Sequence, residues 1–223
     1  MGLDEQLVRY ARDLARVYAD REELDDAWAR VMVRLLELRV PELRGHHRRV
    51  AYWSQHLNRA LGNPLAPRAL LRAAELHDAG LLALDDEPIR AWFAATARGE
   101  RPPETMRKRL YQHAPIMAEL VRHLPGMSEA AEWIRYHHER WDGRGLFGLA
   151  AEEIPLGARV LAVAEVFDHL AFLSKRLSLA AAREKMEAEA GQRLDPELTA
   201  AFLSLPLESL IANLEWIYED SGD

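Results

Sequence analysis

EEIPLGARVLAVAEVFDHL, residues 152–170, opens on two acids and a proline and then turns almost wholly apolar. Continued to Leu173, this run predicts a buried helix over 156–173. Glu165 is a carboxylate in the middle of it. Burying that charge without a counter-charge is costly, so the helix needs a cation there, either a metal ion or an arginine. Just upstream stands HHERWDGRG, residues 137–145. It reads as the end of a helix that begins near Ser128 and closes on His137-His138, followed by a glycine-rich loop over 142–155.

Working outward, histidines and acids recur at the ends of other predicted helices. One begins with Pro67 at its first position, runs through Leu70, Leu71, Ala74 and Leu76, and closes on His77-Asp78 with Gly80 just beyond. Another covers 104–113 and closes on His113 before Pro115, which kinks it or opens the next helix to Leu124. A third runs from Glu42 to Leu61, where Glu42 and His46 are four apart and point to the same side. Imidazole and carboxylate suit first-row divalent metals. Glu42, His46, His77, Asp78, His113, His137, His138 and Glu165 therefore form a candidate divalent metal site, with Asp78 the natural bridge between ions about 3.5–4 Å apart.

The first 40 residues hold no proline, and none of residues 3–40 is glycine. Apolar residues step by four and three at Leu3, Leu7, Tyr10, Leu14 and Val17, then at Leu24, Trp28, Val31, Leu35 and Leu38, with Arg21 breaking the seam. A dimerising coiled coil and a helix packed on its own domain both fit. Residues 82–88 read as a connection, and further helices are expected over 89–98, 178–190, 196–203 and 207–218. No stretch alternates with period two, so the expected class is all-α.

The 223 residues include no cysteine, which removes thiolate ligands and disulfides and fits a reducing, cytoplasmic setting. The polar start MGLDEQLVRY is not a signal peptide, and no apolar run approaches the ~20 residues of a membrane span. A net charge of −7 argues against a nucleic-acid polymer as partner.

In order and type these residues resemble the HD-GYP group within the HD superfamily of metal-dependent phosphohydrolases. HHERWDGRG, the stretch 152–170 and Leu194-Asp195-Pro196-Glu197-Leu198 carry the resemblance, which covers residues 3–205. It implies an all-α helical bundle of the HD-domain type over 41–223, with an N-terminal helical extension over 1–40 that pairs two subunits. It implies two or three divalent ions, iron or manganese, held by the eight residues above, with Glu165 standing where the family has an aspartate. It also implies that the partner is a cyclic dinucleotide or another nucleotide phosphate. The reaction expected is phosphodiester hydrolysis of cyclic di-GMP by a metal-bound hydroxide, with Asp78 and His77 catalytic.

Where the group has a lysine after His-Asp-x-Gly, the chain has Leu81; where it has Gly-Tyr-Pro, the chain has Gly145-Leu146-Phe147. Arg144, Lys175 and Arg176 remain as candidate phosphate contacts. The alternative is a catalytically weak sensor or interaction module that binds metal or nucleotide. Glu139 and Asp168 are read as residues that orient ligand histidines, while His56, His123 and His169 are read as structural or exposed.

Overall fold

The computed structural model describes residue 24, residues 26–173 and residues 177–214. Among these residues the chain is all helical apart from turns and a single bridge between Ala190 and Leu194, as the lack of period-two patterning predicts. The helices are α1 (26–39), α2 (His46–Ala60), α3 (Pro67–Leu76), α4 (Asp86–Arg98), α5 (Glu104–Leu110) and α6 (His113–Val121). There follow α7 (Ser128–Tyr136), α8 (Leu156–Asp168), α9 (Leu179–Glu189), α10 (Pro196–Leu203) and α11 (Leu207–Ala212).

The apolar run over 156–173 is the central helix, as expected. In α8 every residue from Val160 to Asp168 is buried, and the chain continues as a π turn over His169–Leu173. Around α8 stand α2, α3, α7, α9 and α10. Edge-to-face contacts of Phe167 with Trp53 at 5.1 Å and tilted packing on Phe202 at 5.0 Å anchor its C-terminal half. Gly157 lets its N-terminal half approach α7: an added Cβ would lie 2.1 Å from the Trp133 ring.

Among the boundaries that differ from the sequence expectation, three have a local reason. The second helix begins at His46, because Gly45 adopts φ 72°, a left-handed conformation that ends the turn Pro41–Leu43 and restarts the chain. Residues 104–121 form two helices, and Pro115 lies inside the first turn of α6, where its missing N–H costs nothing. At α7, Ser128 does not cap the helix; Met127 occupies the cap position without a side-chain bond. Residues 215–218 of the last expected helix lie outside the described residues.

On α1, Ala29, Val33 and Leu36 are buried against the bundle, as is Val40 just beyond its end. The seam read from the sequence is the other face: Leu24, Trp28, Val31, Leu35 and Leu38 are all exposed, between 40% and 70%. Its earlier members, Leu3 to Val17, lie outside the described residues. The C-terminal end of α1 is tied to the segment that follows Asp78. Arg39 donates to the carbonyls of Leu81 at 2.8 Å, Leu82 at 2.7 Å and Leu84, and pairs with Asp86 at 2.9 Å. Leu81 itself packs in a small second core with Leu36, Val40, Leu43, Ile89 and Leu110.

Gly157→Ala should destabilise the protein by about 1–3 kcal/mol, because the Trp133 ring leaves no room for a methyl group. A thermal melt followed by far-UV circular dichroism measures this. An unchanged midpoint would mean that α7 and α8 pack less closely than described here.

Candidate metal centre

Seven of the eight residues picked from the sequence meet at one buried place. His46, His77, Asp78, His113, His137, His138 and Glu165 are each at most 8% exposed. Glu42 is not among them. It sits exposed in the turn Pro41–Leu43, because the left-handed Gly45 removes the helical register that would have stacked it on His46.

Helix ends position the rings. The last carbonyls of a helix have no partner within it. His77 Nδ1 donates to the Ala74 carbonyl at 2.8 Å, His113 Nδ1 to Leu110 at 2.7 Å and His137 Nδ1 to Ile134 at 2.6 Å. A carbonyl can only accept, so Nδ1 carries the proton in each ring. Nε2 is then left with a free lone pair aimed inward, which is the tautomer a metal requires.

Asp78 lies at the centre. Its Oδ1 is 3.1 Å from His113 Nε2, which in turn is 3.2 Å from His138 Nε2. Its Oδ2 is 3.3 Å from His77 Nε2, 3.5 Å from His46 Nε2 and 3.7 Å from His47 Nε2. Each oxygen thus faces its own set of imidazoles. Glu165 Oε2 stands 4.0 Å from both His137 Nε2 and His138 Nδ1. Gly80 keeps the segment after Asp78 close to the ligand helix, since an added Cβ would meet the His113 carbonyl oxygen at 2.1 Å.

A second layer holds this set. Asp168, fully buried, accepts from His46 Nδ1 at 2.7 Å, from the Arg49 guanidinium at 2.7 and 3.0 Å and from Trp53 Nε1 at 3.3 Å. The orienting role read for Asp168 is therefore observed. Glu139 does something else: it accepts from the backbone of Phe147 at 2.7 Å and Leu149 at 2.8 Å, folding the glycine-rich loop back on the helix end. Tyr111 stacks on the His138 ring at 4.0 Å.

Electrostatics explains the protonation of the cluster. Burial pushes the rings of His47, His137 and His138 well below the usual imidazole range, and neighbouring imidazoles add to the effect. They are neutral, the form that ligates metal. Burial works against a charge on Asp78, but the imidazoles of His77, His113 and His46 around it outweigh that cost and hold the carboxyl well below its usual range. For His46 burial is likewise overcome, here by the bond to Asp168 and the nearby Asp78 carboxylate, and its pKa rises to about 9. Asp168 falls to about 2 against its own burial, through Arg49 and His46. Burial raises Glu165, an effect that the charges of Arg193 and His77 partly offset.

The chemistry of the donors fits a divalent metal. His46 Nε2, His47 Nδ1 and Nε2, His77 Nε2, His137 Nε2, His138 Nδ1 and Glu165 Oε2 are all buried without a hydrogen-bond partner. A native interior rarely leaves such a concentration of polar atoms unsatisfied. Three overlapping groups have the spacing to hold an ion: Asp78 with His113, His137 and His138; His46 with His77 and Asp78; His77 with His137 and Glu165. His47, to which the sequence reading gave no role, is also buried, with Nε2 3.7 Å from Asp78 Oδ2. His169, read as structural or exposed, has its Nε2 3.7 Å from Glu165 Oε1 across one turn. Arg144 is exposed, and Lys175 and Arg176 lie outside the described residues.

In the metal-free protein the His46 proton stabilises the fold. Its folded pKa of about 9 exceeds the ordinary value of 6.5. The contribution is complete below about pH 6.5 and disappears as pH rises through about 9. Urea midpoints of the metal-free chain should fall over that window, and Asp168→Asn should flatten the fall. An equally steep fall in the variant would separate His46 from the effect.

Among curated proteins, a cyclic di-GMP phosphodiesterase of Thermotoga maritima is 31% identical over 78% of this chain and 47% of its own length. A 3'3'-cGAMP-specific phosphodiesterase of Vibrio cholerae is 26% identical over 91% of this chain and 42% of its own. The chain thus spans about half the length of the curated relatives it matches. Among solved structures, a cyclic GMP-AMP-specific phosphodiesterase of V. cholerae superposes with a TM-score of 0.56 at 22% identity, over 75% of this chain and 44% of the other. An HDG"Y"P protein of Bdellovibrio bacteriovorus gives 0.55 at 21%, over 72% and 51%. At these identities the two superpositions speak for the fold. The resemblance read from HHERWDGRG and the apolar helix after it is borne out. Residues 30–198, from within α1 to within α10, match the model of the HD domain family, and the chain belongs to that family.

Proposed function

We propose that the chain is a metal-dependent phosphodiesterase that hydrolyses a cyclic dinucleotide, cyclic di-GMP or its mixed cyclic GMP-AMP relative. The observation that carries this reading is Asp78, with one carboxylate oxygen facing His113 and the other facing His46 and His77. A carboxylate between two imidazole sets would hold divalent ions, which would supply a lowered pKa for water and neutralise charge on a phosphoryl group. Oxygen and nitrogen donors without thiolate suit iron or manganese. Glu165, His137 and His138 extend the donor set toward a third position. The named activities of the similar proteins support a cyclic dinucleotide as substrate.

On this reading the chain's own residues divide the work. His77, His113 and His137 are held rigidly by helix-end carbonyls, so little reorganisation accompanies reaction. Asp168 and Arg49 fix His46 from behind. Arg144, exposed on the loop after His138, is a phosphate contact; Lys175 and Arg176 are further candidates. A second reading, a catalytically weak module that binds metal and nucleotide, draws on Leu81. Its side chain lies in an apolar core, so that position offers no cation to a phosphate. A cysteine-free chain with no described helix long and apolar enough to cross a membrane suits a cytoplasmic setting.

The test is to purify the protein without chelator, measure bound metals by elemental analysis and follow linear dinucleotide production with iron and with manganese. Turnover should appear with metal and vanish in Asp78→Asn. Bound metal and bound nucleotide without turnover would favour the second reading.

For the assembly, we infer a homodimer through the exposed stripe of α1. Steps of four, three, four and three from Leu24 to Leu38 match what a second copy of the same helix presents. Light scattering after size exclusion should give a dimer mass, and Val31→Glu with Leu35→Glu should give a monomer. A monomeric parent protein would sink this assignment.

A further inference from the structure

We infer that His47 is a metal ligand of this chain, completing with His46, His77 and Asp78 a set of three imidazoles and one carboxylate for a first-row divalent ion. The inference rests on the metal-centre reading and is independent of the substrate.

His47 is fully buried, and neither ring nitrogen has a hydrogen-bond partner. A neutral imidazole always carries one N–H, and burying that group unsatisfied is costly. His77, His113 and His137 each give this proton to a helix-end carbonyl. His47 has no such arrangement, so packing alone leaves it as a net cost. Position supplies the missing reason. Its Nε2 lies 3.7 Å from Asp78 Oδ2, beside His77 Nε2 at 3.3 Å and His46 Nε2 at 3.5 Å from the same oxygen. The His47 ring meets those of His46 and His77 at centroid distances of 5.2 and 5.4 Å. Three ring nitrogens thus face one carboxylate oxygen, and His47 stands beside the group His46, His77 and Asp78 whose spacing suits an ion.

The local backbone accounts for the arrangement. The left-handed Gly45, whose N–H donates to Glu37 at 2.9 Å, starts α2 at His46. The helix therefore meets Asp78 with its first turn, and its first two side chains both reach the centre. The same turn leaves Glu42 in solvent. Where a carboxylate was expected from this segment, the structure presents a second imidazole. The substitution removes one negative charge from the first coordination sphere and makes the donor set richer in nitrogen. That favours cobalt, iron or zinc over magnesium or calcium.

Cobalt(II) is the probe, because its visible absorption reports coordination. Metal-free wild-type protein, His47→Gln, His47→Ala, His46→Ala and the control Glu42→Gln are titrated, with folding checked by far-UV circular dichroism. Both His47 variants should bind cobalt at least about 10–100-fold more weakly, the loss that even outer-shell changes produce, with an altered spectrum. Glu42→Gln should match the wild type. Zinc-loaded wild-type protein labelled with nitrogen-15 histidine gives a reading that needs no variant: a His47 ring nitrogen should move to the shift of a ligated imidazole. His47 variants that titrate like the wild type while His46→Ala does not, or a His47 ring unmoved by zinc, would overturn the assignment and leave the centre intact. A wild-type chain that takes up no cobalt would overturn the centre as well.

Discussion

The structure depends first on a negative charge held inside the bundle. Asp168 is fully buried, yet it accepts from Arg49, His46 and Trp53. All three donors lie on α2, and the acceptor closes α8. A buried ion pair gains little net stability over apolar packing of the same volume. What it adds here is geometry. Apolar packing between two helices tolerates small slides; a bidentate guanidinium does not. The pair fixes the axial position of α2 against α8, and with it the distance between His46 and Glu165.

The metal centre is assembled by a device repeated across three helix ends. A carbonyl left over by the helix takes the Nδ1 proton of a histidine three residues later. The ring is then both oriented and set in one tautomer before any ion arrives. The same economy explains why these three histidines sit at helix ends rather than along helix faces. Only there are backbone acceptors available without breaking a helix. Gly80 and Gly157 serve the arrangement by absence, since backbone and ring stand where their side chains would be.

Much of this was legible in the sequence. The carboxylate inside the apolar run around Glu165 forecast a buried polar site, and histidines at predicted helix ends forecast its members. Asp168 was recognisable because an acid next to Phe167 in a buried helix needs partners. What escaped were features set by single backbone angles and by surroundings. The positive φ of Gly45 leaves Glu42 in solvent and buries His47, and no periodicity argument sees one left-handed residue. For α1, the sequence showed an apolar seam but not which face would pack, because two seams one residue out of phase share the helix. The loss of a lysine at Leu81 was visible, whereas its reason, a small apolar core reaching from α1 to α5, became visible only in three dimensions.

Arg39 adds a polar tie between two regions that already share a small apolar core. It closes α1, whose outer stripe is bare, and it grips three carbonyls in the segment between Asp78 and α4. The first of those carbonyls, that of Leu81, lies three residues beyond the central carboxylate. A rotation of α1 about its own axis would therefore act as a crank, with the stripe as the handle and the guanidinium as the pin. Its throw is short, since Gly80 leaves the driven segment almost no clearance against His113. Whatever grips the handle gains mechanical access to the position of Asp78 without touching the site.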